Sequence, residues 1–302
     1  MKHLTQQLAK LSFFTGIKQI CAINSGLSSP SFKVQTSQGF FFAKYLNNND
    51  FFVSTINAEV KANEIAAEQG LAPKVCYADK YWLISQYING TELAKSTLCL
   101  NDKLQVAINL MQKCHQLNRQ TCVDHLPILS IENTINSLIN YDFYQTAQLT
   151  LLKQIAQHLV ASIQVNANYF CHGDINFSNI LITKNTADNE QKQPYLIDFE
   201  CACLADIEYD LAMLLAINNP EPAYHNAVIH MYEGATVTGI SVGINKTTVT
   251  RYLSFCYLIN ALWYFNKFKQ THNENMQRCA LKQFTLFDNM KIFAVKLSEK
   301  MR

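Results

Sequence analysis

The chain changes texture once, near residue 87, and that change restricts its architecture more than any other feature. Before it, short β-branched or aromatic runs alternate with turn residues. Ile17–Ile23, Ser31–Thr36 and Phe40–Leu46 are separated by Asn24-Ser25-Gly26 and Ser37-Gln38-Gly39, the pattern of strands joined by tight turns. An Ala- and Glu-rich stretch predicts a helix from Thr55 to Gln69, stopped by Gly70 and Pro73. Two further strands are predicted at Lys74–Ala78 and Tyr81–Gln86. After Gly90, apolar residues recur at helical spacing in Leu100–Leu117, Ile131–Tyr141, Leu149–Ile163, Ile207–Ala216, Ala223–Gly234, Thr248–Lys269 and Ala280–Lys300. Only Tyr169–Phe199 departs from this, with short apolar runs on either side of a polar tip, Thr183–Gln193. The expectation is an α+β, bilobal chain. Residues 1–87 would form a five-stranded antiparallel sheet with one helix, and residues 88–302 a mostly helical lobe. No flexible linker separates them, so they should share a cleft.

Composition narrows the functions such a chain can have. Of 302 residues 49% are hydrophobic and 16% charged, enough apolar material for a large core and too little charge for disorder. Lys and Arg number 25 against 23 Asp and Glu, which leaves no cationic footprint for nucleic acid. The ten cysteines contain no CxxC pair, and Cys201–Cys203 has no second pair to complete a zinc site. They read as small buried residues kept reduced. The N-terminus lacks the continuous apolar core of a secretory signal. Tyr252–Phe265, interrupted by Ser254 and Asn260, falls short of the ~20 residues of a membrane span. A soluble, cytoplasmic protein with neither a nucleic-acid nor a membrane partner is expected.

The chemistry concentrates in Cys171–Leu181, CHGDINFSNIL, followed by IDFE with Asp198 lying 19 residues after Asn179. Phosphoryl transfer from ATP needs a carboxylate to take the attacking hydroxyl's proton, oxygen ligands for magnesium, and a cation on the upstream phosphates. Asp174 fits the first role; Asn179 and Asp198 fit the second. Each motif alone could be turn chemistry, with side chains satisfying local backbone, but their order and spacing together favour a site. Lys44 shares a strand face with Phe40 and Phe42, and Glu59 on the following helix can hold it. Glu64 and Glu68 are rivals for that partnership. The turn after the first strand, with Ser25, Gly26 and Ser28, can cover phosphates through backbone N–H groups and hydroxyls.

In this order GLSSPSFKV, Lys44, Glu59, GLAPKV, LISQYINGTEL, LMQKCHQLN, CHGDINFSNIL, LIDFE and EYDLA, the chain resembles the choline kinase, thiamine kinase and aminoglycoside phosphotransferase superfamily. The likeness runs over residues 15–270 and is most specific in 171–212. It implies the protein-kinase-like fold and ATP- and magnesium-dependent phosphorylation of a small-molecule hydroxyl. It also implies Asp174 as base, Asn179 and Asp198 as magnesium ligands, and Asp210 as the brace of the catalytic loop. A hinge at Ser85, Gln86, Tyr87 and Ile88 would meet adenine through its backbone. Gln86-Tyr87 stands where the family usually has an acidic–aromatic pair, a change that backbone contacts survive. IDFE and GLSSPSF lean toward the choline and thiamine kinases.

The acceptor is less constrained. Residues 198–210 hold five carboxylates. Asp206 suits the cap of the next helix, where acids are favoured, and Glu200 suits a cationic acceptor. The aromatic helix 251–269 supplies Trp263 either to a cage for such a cation or to the core. His115 and His172 read as structural. The segment from Lys291 to Arg302 is basic, which does not suit a polycation. The reading is a choline- or thiamine-type kinase. The alternatives are an aminoglycoside or sugar phosphotransferase and, in another class, a nucleotide-binding pseudokinase acting as an interaction module. The presence of Lys44, Asp174, Asn179 and Asp198 together argues against the last.

Overall fold

In a computed structural model, residues 2–23, 29–46, 56–184, 193–234, 243–292 and 296–301 are described. The early strands pair as expected. β1 (Gln19–Ile23), β2 (Ser31–Thr36), β3 (Gly39–Tyr45), β4 (Val75–Ala78) and β5 (Trp82–Gln86) form one antiparallel sheet in the order β1-β2-β3-β5-β4. Register fixes its two faces. Lys44 lies opposite Ser31 and Leu83, and Phe42 opposite Lys33 and Ser85. Directly opposed residues share a face, so Lys33, Phe42, Lys44, Leu83 and Ser85 all look the same way, into the cleft. The other face carries Phe32, Val34, Ala43, Trp82 and Ile84, packed with Leu8 in a small core. Leu8 belongs to α1 (Lys2–Ala9), a helix the sequence reading did not anticipate. Phe13 and Phe14 complete the cover, edge-on to Phe41.

α2 (Ile56–Glu68) belongs elsewhere in packing terms. Its Ala62, Ile65 and Ala66 join the larger core of the helix-rich part, not the core behind the sheet. That part begins with β6 (Gly90–Glu92) and continues through α3 (Leu100–His115), α4 (Arg119–Val123), α5 (Ile131–Leu138) and α6 (Thr146–Ser162). A small β unit follows: β7 (Tyr169–Cys171), β8 (Ile180–Thr183), β9 (Pro194–Leu196) and β10 (Cys203–Ala205). β8 and β9 are the anticipated hairpin, and β6 adds to it as a third strand. β10 pairs with β7. Then come α7 (Ile207–Asn218), α8 (Ala223–Gly234), α9 (Lys246–Thr271), α10 (Glu274–Asn289) and α11 (Leu297–Lys300).

The α+β class expected from the sequence holds: a five-stranded antiparallel sheet, then mostly helices. The middle of α9, from Tyr252 to Leu262, is apolar on nearly every side because it is buried on nearly every side; Tyr252, Phe255, Cys256, Leu258 and Leu262 are inaccessible. No described helix is long and apolar enough to cross a membrane. The single helix expected over Ala280–Lys300 is two. α10 starts earlier, where the Asn273 side chain accepts from Asn275 N–H, and the chain leaves it through Lys291 at φ 54°. Asp288 then accepts from Leu297 and Ser298 N–H and starts α11.

Candidate active site

The loop between β7 and β8 is held by its backbone. Asp210, inaccessible on α7, accepts from His172 N–H at 3.0 Å and from Gly173 N–H at 2.8 Å. His172 Nδ1 faces the Asp174 N–H at 3.3 Å and Nε2 faces the Ile197 carbonyl at 3.1 Å. Those partners require Nδ1 to accept and Nε2 to donate, so the ring is neutral; burial depresses its pKa and agrees. Gly173 has φ 76°, and a Cβ there would strike the carbonyl of Cys201, so this position needs glycine on two counts. His115 is likewise structural. Its Nε2 lies 3.1 Å from Asp210 and its Nδ1 2.8 Å from the Tyr232 hydroxyl.

Asp174 follows. Its Oδ2 accepts from Asn179 Nδ2 at 2.7 Å, while its buried Oδ1 has no partner. Burial, with Asp198 beside it, pushes its carboxyl up to about 7. Asn179 and Asp198 come together because the hairpin pairs Ile180 with Leu196, and Ile197 N–H donates to the Asn179 carbonyl at 3.0 Å. Asp198 itself adopts φ 68° and ψ 67°, a left-handed conformation that costs an L residue about 1–3 kcal/mol and persists where surroundings enforce it.

Lys44 ties the two parts of the molecule together. Its Nζ lies 2.7 Å from Glu59 Oε1, 2.6 Å from Asp198 Oδ1 and 2.9 Å from Glu200 Oε2. Burial alone would lower the ammonium's pKa, but the three carboxylates more than offset it and hold it well above its ordinary value. Glu64 instead pairs with Lys61 at 2.6 Å on the surface, and Glu68 is exposed. Of the three candidate glutamates, geometry selects Glu59. Three carboxylates around one ammonium leave an anionic excess, and burial next to Asp198 pushes Glu200 up to about 8. Asn179 and Asp198, brought together by the hairpin with the unpartnered Asp174 Oδ1 near them, offer the hard oxygen donors that suit a divalent cation such as magnesium.

A second cluster of possible ligands, His115, Cys171 and Asp210, is fully buried. The Asp210 carboxylate there already accepts three N–H bonds. It anchors the loop.

A cavity of about 210 Å³ opens beside Asp174, Asp198 and Glu200. Ile128, Met213, Ile217 and Ile259 line one wall with Trp263 and Tyr264, and among the described residues no Lys, Arg or His lines it. Trp263 is half-buried, edge-on to Tyr264, with Lys267 Nζ 5.4 Å from its ring centroid. The aromatic stripe on α9 therefore divides: Tyr252, Phe255, Tyr257 and Phe265 are core, while Trp263 and Tyr264 reach the cavity. Glu200 also borders the cavity, with its Oε2 already on Lys44.

The hinge residues lie at the C-terminal end of β5, an interior strand of the sheet. Ser85 opposes Phe42, Gln86 N–H donates to the Lys74 carbonyl, and Tyr87 N–H to the Phe40 carbonyl. Ile88 precedes β6. Ser25, Gly26 and Ser28 fall outside the described residues. Asp206 is not the side-chain cap expected of it. It stands at the N-cap of α7, but its carboxylate accepts from Asn166 and from the Tyr252 hydroxyl at 2.7 Å. Two features had no sequence signal: Ile128, held against β10 by the Leu204 backbone, and Asn218, whose amide bonds the β7–β8 loop on both sides of Asn176.

Comparison with known proteins bears on the family and the fold. The model of the phosphotransferase enzyme family matches residues 19–240. Choline kinase LicA from Streptococcus pneumoniae superimposes with a TM-score of 0.67 at 16% identity, covering 95% of this chain and 98% of that one. A choline/ethanolamine kinase family protein from Mesorhizobium loti gives 0.66 at 14%, covering 100% and 98%. The GDP and kanamycin complex of APH(2")-IIia gives 0.62 at 15%, covering 96% and 99%. None of the curated proteins matches the sequence.

Proposed function

The chain belongs to the phosphotransferase enzyme family, and from that premise we propose that it transfers the terminal phosphoryl group of ATP to the hydroxyl of a compact, singly charged cation of the choline or thiamine kind. One observation carries the choice of acceptor. The carboxylates that line the cavity, Asp174, Asp198 and Glu200, belong to the loop and hairpin segments, and the remaining lining is uncharged, apolar and aromatic side chains with polar ones such as Ser130, Thr134 and Asn260 among them. A polycationic sugar would need carboxylates spread along its length. A compact alcohol with one charge needs only an aromatic face, here Trp263 and Tyr264, with Glu200 at the border.

Lys44, held by Glu59, meets the upstream phosphates, and the hinge backbone from Ser85 to Ile88 meets the base under a ceiling that includes Phe42 and Leu83. Asn179 and Asp198 would hold magnesium, which supplies charge neutralisation on the phosphates when bound. Asp174 takes the hydroxyl proton. Its Oδ2 is fixed by Asn179, leaving Oδ1, the oxygen with no protein partner, for the acceptor. A carboxyl near 7 is matched to that task at neutral pH. The ten unpaired thiols suit work in a reducing cytoplasm.

The test is ADP release with ATP and magnesium against choline, ethanolamine, thiamine, homoserine, neutral sugars and kanamycin. Fastest turnover of a singly charged alcohol is expected. A neutral sugar or kanamycin as the best acceptor would overturn the reading.

A further inference from the structure

Between Asp174 and Asn179 the loop makes a second attachment to α7, separate from the Asp210 brace. The Asn218 side chain accepts from Phe177 N–H through Oδ1 at 2.9 Å and donates from Nδ2 to the Ile175 carbonyl at 2.7 Å. One amide group thus fixes the backbone on both sides of Asn176, midway between the candidate base and the candidate metal ligand. Asp210 and Asn218 stand eight positions apart on α7, a little over two turns and therefore on neighbouring faces. The loop is gripped at its start by one and at its middle by the other. Ile175 and Phe177 are buried anchors on either side of Asn176, so the grip transmits to Asp174 on one flank and Asn179 on the other. The Nδ2 group also donates to the Leu214 carbonyl at 3.0 Å, which locks the amide's orientation and leaves no freedom to exchange its donor and acceptor ends.

We propose that Asn218 is a positioning residue for phosphoryl transfer: by bonding Ile175 and Phe177 together it sets the distance between Asp174 and Asn179. The inference rests on the reading of Asp174 as the base. Asn218 touches neither reacting atoms nor the cavity wall. Its removal should change placement by a fraction of an ångström to an ångström, and such misplacement can cost up to about 10²-fold in rate.

The experiment compares Asn218→Ala with the wild type for kcat, acceptor KM, magnesium–nucleotide binding by calorimetry and thermal midpoint. Expected are a kcat about 10- to 100-fold lower, both binding constants within about twofold, and a nucleotide stoichiometry of one per chain. The stoichiometry separates misplacement from a partly unfolded sample, which would lower apparent kcat and stoichiometry together. A second arm places the substitution in an Asp174→Ala background. Because Asn218 sets where Asp174 stands relative to Asn179, the added loss there should be clearly smaller than in the wild-type background, the non-additivity of residues that work as one unit. Wild-type kcat in Asn218→Ala overturns the proposal, as does full additivity in the double variant or a fall in stoichiometry matching the fall in rate. Full activity of Asp174→Ala alone would instead remove the base assignment, a different failure read from a different protein.

Discussion

The two ends of the cleft are built on opposite plans. At the proposed phosphoryl end, Lys44, Glu59, Asp174, Asp198 and Glu200 concentrate charge beside the Asn179 amide, and backbone hydrogen bonds to Asp210, His172 and Asn218 immobilise the loop that carries Asp174 and Asn179. At the proposed acceptor end, Ile128, Met213, Ile217, Ile259 and Trp263 come from three separate segments and contribute mainly shape. Charges that must meet the same few atoms need fixed spacing along the chain. Apolar surface can be gathered from anywhere.

The strongest way to break this comparison is Asp198→Ala. The site should lose magnesium-dependent turnover altogether while the fold persists, and wild-type turnover, or turnover unchanged in excess chelator, would remove the metal from the phosphoryl end. Next, Asp174→Ala should keep nucleotide binding and lose on the order of 10²–10⁴-fold in kcat, measured by ADP release with the best acceptor. The acceptor end should respond differently. Trp263→Ala should raise acceptor KM about thirty-fold, the equivalent of a desolvated cation–π contact of ~2 kcal/mol, with nucleotide binding unchanged. If Trp263 serves only as core, the same variant should lose ~3–5 kcal/mol of stability at constant KM. Thermal midpoint and KM measured on one preparation decide between them.

The smallest effect sharpens the electrostatic side of the comparison. In the free protein, Asp174 and Glu200 titrate above their unfolded values, at about 7 and about 8. A carboxyl raised on folding stabilises the protonated form, so its contribution is complete below its unfolded pKa and is lost as pH rises through the folded one. In chelator and without nucleotide, the thermal midpoint should therefore fall between about pH 4 and pH 8. Asp174→Asn with Glu200→Gln should flatten that slope, and an unchanged slope would place the excess negative charge elsewhere.

What the sequence disclosed follows the same division. That Asp174, Asn179 and Asp198 would come together was legible because a loop and a hairpin bring oxygen-bearing side chains to set separations. Lys44 and Glu59 were legible because strand parity and an early helical position leave few options. Asn218 was not, since an amide at the end of an apolar helix is ordinary in sequence and acquires meaning only from the loop packed against it. Ile128 sits in a short aperiodic stretch whose role depends on a bridge to Leu204. α1 is short and weakly apolar, and exists because the sheet's outer face needs Leu8. Asp206 looked like a cap because it occupies the cap position, and Tyr252 and Asn166 claimed its carboxylate instead.

The separation of the two apolar cores has a consequence for how the molecule comes apart. The sheet with α1 holds one core, α2 is packed into the other, and among the described residues Lys44 and Glu59 give an ionic link from β3 to α2. Cooperative units follow shared burial more closely than order along the chain. In native-state hydrogen exchange, the amides of β1, β2, β3 and β5 should open together with α1, while those of α2 should keep the protection of α3 and α7. A helix flanked by strands on both sides in the sequence would then report on the stability of the helix-rich part, and the sheet could fray or tilt as a plate without taking that helix along.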